Sequence, residues 1–174
     1  MTGTGRKRRW RAAALVLLGA VVAHALSIAL LPAWVGHVAM ARATEVAGGH
    51  NVLLRVPPVT PDDRTIRRPS PDLLYSVCVV DAGRGPVEVE MAPTPGYASV
   101  SVYDTRLDNI LTRSNASRRD RPIRVTFGAA GDAGDPDLAA PEKFIVLLRH
   151  LRPAAPGRHA DRSRDVCRSV SSAR

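Results

Sequence analysis

Leu73-Leu74-Tyr75-Ser76-Val77-Cys78-Val79-Val80 is the stretch that decides the fold. It is rich in β-branched residues and almost wholly apolar, as a strand covered on both faces should be. Asp81-Ala82-Gly83-Arg84-Gly85-Pro86 follows as a turn. Val87-Glu88-Val89-Glu90-Met91 then alternates strictly, the mark of a strand with one wet face, and the two runs predict a hairpin. Pro93-Thr94-Pro95-Gly96 turns the chain again. Residues 97–103 predict a third strand, with Ala98, Val100 and Val102 on one face and Ser99 and Ser101 on the other. Tyr97 and Tyr103 share the serines' parity, which leaves its facing open. Residues 123–127 and 143–151 predict a fourth and a fifth strand, the last centred on Phe144-Ile145-Val146-Leu147-Leu148.

The connections are more polar. Residues 51–56 are a further candidate for a short strand, and the proline-rich residues 57–71 form an extended connector through which no helix persists. Residues 104–120 read as a polar loop with a short helical turn near residues 107–111. Residues 128–141 read as a Gly/Asp/Ala loop. Its Asp132, Asp135 and Asp137 lack the glycine and glutamate order of a calcium loop, so no metal is expected. Residues 161–171 predict a helical turn carrying Cys167. Short strands separated by Gly/Pro turns predict a mainly β chain, a small antiparallel β-sandwich-like domain with a thin core.

A different kind of segment precedes this domain. Residues 12–34 hold 23 residues without a charge, which as a helix reach about 34 Å, enough to span a bilayer. Trp10 and Trp34, the chain's two tryptophans, flank the segment at the positions amphipathic rings favour. Arg6, Lys7, Arg8, Arg9 and Arg11 precede it, whereas only Arg42 lies close on the far side. The positive-inside bias then keeps the N-terminus in the cytoplasm. The competing readings are a signal peptide cleaved near Ala39-Met40-Ala41 and a twin-arginine signal built on Arg8-Arg9. The apolar stretch is longer than a usual signal h-region and strongly hydrophobic, which favours an uncleaved anchor. Gly19, Ala23 and Ser27 fall at four-residue steps, a small-residue ridge on which two membrane helices can approach; chance in an alanine-rich chain is the alternative. His24 sits mid-segment, where a neutral, packed histidine is the plainer reading.

The formal charge of +9 does not point to nucleic acid. The basic arm before residue 12 carries five positive charges, and residues 43–149 are left at a net −1. Few aromatic residues are present to stack on bases. Lys7 and Lys143 are the only lysines, the bias of a GC-rich bacterial genome, so the expected address is the inner membrane with the β domain in the periplasm. That compartment permits a Cys78–Cys167 disulfide; a buried thiol at Cys78 and an unpaired Cys167 are the alternatives.

Arg68-Pro69-Ser70-Pro71-Asp72-Leu73-Leu74-Tyr75-Ser76, then Val80-Asp81, Gly85-Pro86-Val87, Tyr97, Tyr103-Asp104 and Asn109, resemble domain-of-unknown-function family 1254. Pro141 and the strand ending at Arg149 match a late segment of that family, so the resemblance spans about residues 67–151. Ser70 and Leu73 stand where the family usually carries Asn and Thr, which puts a polar role for those positions in doubt. The resemblance implies a β domain without an established activity. Many relatives are longer, with a second domain of family 1214; short anchored members imply a companion anchored 1214-type protein in trans.

The expected organisation is a basic cytoplasmic arm (1–11), a transmembrane helix (12–34), a linker (35–66), the β domain (67–152) and a basic tail (153–174). Asp72, Tyr75, Asp81, Tyr103, Asp104 and Asn109 are the candidate ligand-binding residues, with turn-capping aspartates and core tyrosines as the plainer reading. No catalytic constellation or cofactor motif emerges: His150 and His159 lie at or within the basic tail, and no Ser-His-Asp order stands out. The expected function is therefore a non-enzymatic, partner-binding envelope protein. The alternative is a small-ligand or envelope-component binding module using the Tyr/Asp cluster. An enzyme would need Asp72, Asp81 and Asp104 to converge.

Overall fold

The computed structural model describes residues 3–60, 69–117, 119–128, 142–153 and 162–170. Arg67, Arg68, Asp132, Asp135, Asp137, Pro141 and His159 lie outside these described residues.

One helix, α1 (Gly3–Ala47), begins in the basic arm and runs past the expected end of the span. Pro32 sits inside it, and the helix continues for fifteen more residues despite the lost backbone donor. The side chains of its apolar part are exposed, Leu15, Val16 and Leu30 among them. After Trp34 one face changes character. Gly36 and Met40 are buried, while Ala43, Thr44 and Ala47 are half-buried. These positions recur at helical spacing and form one stripe, which packs on the first two strands of the domain. The first thirteen residues of the expected linker, 35–47, are thus helix. His37 and Pro32 disguise the continuation in the sequence.

Eight strands follow: β1 (Leu53–Arg55), β2 (Leu73–Asp81), β3 (Val87–Met91), β4 (Ala98–Tyr103), β5 (Asn109–Ser114), β6 (Ile123–Phe127), β7 (Lys143–Leu151) and β8 (Val166–Ser169). They form two antiparallel sheets, of order β1-β2-β7-β4-β5 and β6-β3-β8. Residues of one parity from each strand meet between the sheets. Cys78, Val80, Val100, Val102, Phe144, Val146 and Leu148 face Val87, Val89, Met91, Val125, Phe127 and Cys167 in one buried cluster. Phe127 and Phe144 lie 4.4 Å apart between ring centroids, a tilted pair across the sandwich.

The β domain is therefore a sandwich, but three local expectations are corrected. Strands β2 and β3 are not a hairpin. The 3₁₀ turn Ala82–Arg84 and Gly85, at φ 125°, carry the chain from one sheet to the other. The reason lies in β2 itself: an almost all-apolar strand is a central strand, and it pairs with β1 and, over its full length, with β7. Residues 109–114 form a strand rather than the expected loop with a helical turn. This is an edge strand, and its exposed Asn109, Thr112 and Ser114 hide the β pattern. Cys167 lies in β8, opposite Val89, not in a helical turn; only Arg162–Arg164 form a 3₁₀ turn.

Cys78 and Cys167 are bonded, so the disulfide joins the two sheets. It closes a loop of 89 residues, which the chain-entropy account values at about 4–5 kcal/mol.

Candidate functional site

The candidate residues all fall on the larger sheet or its turns, but they do not form one site. Tyr75 and Tyr103 face away from the sandwich core, on the same side of the sheet as Arg149 of β7. Tyr75 is the register partner of Arg149, and Arg149 Nη2 donates to Tyr103 Oη at 2.7 Å. Tyr75 is buried under Val56 and Val59, with Leu73, Val77 and Leu147 packed around them. Its hydroxyl accepts from the Ser70 N–H at 2.9 Å. This tyrosine fastens the two described ends of the proline-rich connector, at Val59 and Ser70, to the sheet. Tyr103 is only half-buried.

Asp81 is buried at the end of β2. Its carboxylate lies 3.2 Å from Arg84 Nε and 3.9 Å from Lys143 Nζ, and its backbone N–H and C=O bond to the Asn51 side chain. Asp104 caps the β4–β5 turn: its Oδ1 accepts from the N–H groups of Arg106 and Asp108. Asn109 exchanges side-chain bonds with Thr112. Asp72 is exposed, and its carbonyl accepts from the Arg152 N–H. Asp72 immediately precedes β2 and Asp81 ends it, about 30 Å apart at strand rise. Asp104 lies at the Asp81 end but two strands across, about 10 Å away. Tyr103, Asp104 and Asn109 come together at the β4–β5 turn, where Tyr103 is the register partner of Asn109, and Arg149, itself opposite Tyr75, reaches the Tyr103 hydroxyl.

Polar groups that the sequence reading missed are more deeply placed. His150 Nε2 and Asp165 Oδ2 lie 2.8 Å apart with side chains no more than 1% exposed. Asp165 Oδ1 accepts from the Ala92 N–H, and His150 Nδ1 has no partner among the described residues. His150 follows Phe144, Val146 and Leu148 at the same parity, so alternation alone places it inside. Asn115 is also buried. Its Oδ1 accepts from the Ala98 N–H, and its Nδ2 donates to the carbonyls of Thr94 and Gly96.

The two long sides of the sandwich differ. On one side β1 and β8 are latched together. Arg55 of β1 donates to the carbonyls of Arg162, Ser163 and Asp165, and Arg162 donates to those of Val56 and Tyr75. Burial pushes the Arg162 guanidinium below its usual range; Asp165 opposes the shift and Arg55 adds to it. Asn51 Nδ2 reaches Ser169 Oγ, and the disulfide lies on the same side. On the other side β5 and β6 end their sheets, and no described strand continues either one. A cavity of about 360 Å³ opens between them, lined among others by Arg113, Ser114, Asn115, Ser117, Arg121 and Arg124. Arg124 is held by Glu88 and Glu90, and the hydrogen bond and charge of Glu90 push its pKa above the usual range. The cavity contains none of the six candidate residues.

The family model described as "Protein of unknown function (DUF1254)" matches residues 50–152. The chain belongs to that family. The match covers β1 through β7, while the latch residues 162–169 and β8 lie beyond it. A comparison with curated proteins finds no match. Among solved structures, the VPA0106 protein from Vibrio parahaemolyticus is similar at 16% identity with a TM-score of 0.39. The similarity covers 52% of this chain and 24% of that one, so the DUF1254 chain spans about a quarter of that protein's length.

Proposed function

We propose that this DUF1254 member is a non-enzymatic, single-pass inner-membrane protein whose periplasmic β domain docks a companion protein. The observation that carries the reading is the asymmetry of the sandwich. Both sides end in edge strands, but the short β1 and β8 are tied to each other by arginine latches beside the disulfide, whereas a cavity separates β5 from β6. An open sheet edge offers a row of backbone donors and acceptors to a further strand. The companion suggested by the resemblance is an anchored 1214-type protein, itself rich in strands. The disulfide supports an oxidising compartment, and the arm of five positive charges supports a cytoplasmic N-terminus. Gly19 and Ala23 offer a small-residue face for helix association within the membrane; Ser27 keeps its hydroxyl on the Ala23 carbonyl and leaves that face unencumbered.

Purification of the full chain from its native membranes tests this. A stoichiometric companion retained in mild detergent is expected. A stable monomer with no companion would contradict the reading. Alkaline phosphatase fused after Arg174 should be active; a well-expressed but inactive fusion would overturn the orientation. The β5–β6 cavity favours one further reading, a site for a small anionic ligand, for which thermal shifts with phosphate or carboxylate compounds lost on Arg121→Ala are the expected signature.

A further inference from the structure

We infer that the β4–β5 turn, residues 104–108, rests in the headgroup layer of the bilayer, with Leu107 as its apolar contact. The inference rests on reading residues 12–34 as a membrane span. The helix does not break at the membrane exit: α1 continues unbroken to Ala47, so its end and the domain move together. Gly36 lies only two residues past Trp34, about 3 Å of helical rise. It is already buried against the domain. A Cβ at Gly36 would collide with the Thr105 carbonyl, and Leu107 Cγ lies 3.5 Å from that Cβ position. The turn is therefore held beside the helix at the depth where the interfacial tryptophan ends the span.

The composition of the turn suits that position. Leu107 and Ile110 are each 37% exposed, on the same hairpin. Arg106 projects beside them with its side chain 52% exposed; its Nε lies 4.0 Å from the exposed Asp108 carboxylate, a loose pair that leaves the other guanidinium nitrogens facing outward. Leu107 adopts φ 65°, a left-handed conformation in which glycine or asparagine is usual. The turn is fixed by its own bonds: Leu107 N–H to the Asp104 carbonyl, Asp104 N–H to the Asp108 carbonyl, and two N–H groups to Asp104 Oδ1. A bulky apolar residue held in a conformation that disfavours it, beside a membrane helix, is explained by what its side chain meets. The remaining domain then stacks directly on the bilayer instead of swinging on a tether.

The test uses the full chain in vesicles of phosphatidylethanolamine and phosphatidylglycerol. Both native cysteines are bonded, so one engineered cysteine takes a nitrobenzoxadiazole label. Labels go at Val22→Cys, Leu107→Cys, Asp108→Cys and Ala116→Cys, the last beyond the far end of β5. Quenching is read with lipids that carry nitroxides at headgroup or deep acyl positions. The expected result is deep quenching at Val22, headgroup-level quenching at Leu107 and Asp108, and none at Ala116. If Val22 is quenched but Leu107 and Asp108 behave like Ala116, the inference fails while the span stands. A blue-shifted but unquenched Leu107 label overturns it in favour of a covering protein. An unquenched Val22 refutes the span and the inference with it.

Discussion

Asn115 satisfies three backbone groups with one buried amide, tying the start of β4 to the end of β5. Asn115→Ala strands those groups in a nearly dry site, so we expect a loss of about 2–3 kcal/mol in denaturant unfolding of the domain. Leu107 makes the opposite case. Leu107→Asn relieves a left-handed leucine and should leave the stability of the full chain in detergent unchanged or raise it by about 1 kcal/mol. The same variant should weaken headgroup quenching of a label at Asp108, which separates lipid contact from folding. Legibility at this scale followed the nature of the signal. His150 shares the parity of Phe144 and Leu148, yet its burial was missed, because its place beside the basic tail masked the alternation. The roles of Arg149, Arg55 and Asn115 depend on acceptors far away in sequence, and nothing local announces them. Tyr75 and Asp81, chosen as ligand candidates, have their polar groups committed to Ser70 and to Arg84 and Asn51.

The elements show the same division between local and distant causes. Strands β3, β6 and β7 have the bounds expected from the sequence, since alternation or an apolar run marks both ends. Strands β5 and β8 were missed because edge strands carry Arg, Ser and Thr on their wet faces. The β2–β3 hairpin failed because a Gly/Pro turn fixes that the chain turns, not which sheet it enters. Two predictions belong here. Reducing Cys78–Cys167 releases β8 from β2, and we expect unfolding at lower denaturant by about 4 kcal/mol, less any structure kept in the reduced unfolded chain. Gly36→Val cannot fit against the Thr105 carbonyl. It should undock the end of α1 from the turn, seen as increased hydrogen exchange over residues 36–47 and 104–108 with the core strands unchanged.

At the scale of the whole molecule, the domain has one latched side, one open side and a continuous helical mount. The long apolar helix was legible because twenty-three uncharged residues in a row mark it in the sequence itself. The open side was not legible, since it depends on where the latches of Arg55 and Arg162 find their distant acceptors. The most direct test of companion docking is a photo-crosslinking scan in native membranes. Benzoyl-phenylalanine is placed at Ile110 or Thr112 on β5 and, as a control, at the exposed Val52 beside the latched side. One discrete membrane-protein adduct is expected from the β5 positions and none from Val52. The absence of adducts at β5 in a properly inserted protein, or equal adducts from Val52, would contradict companion docking.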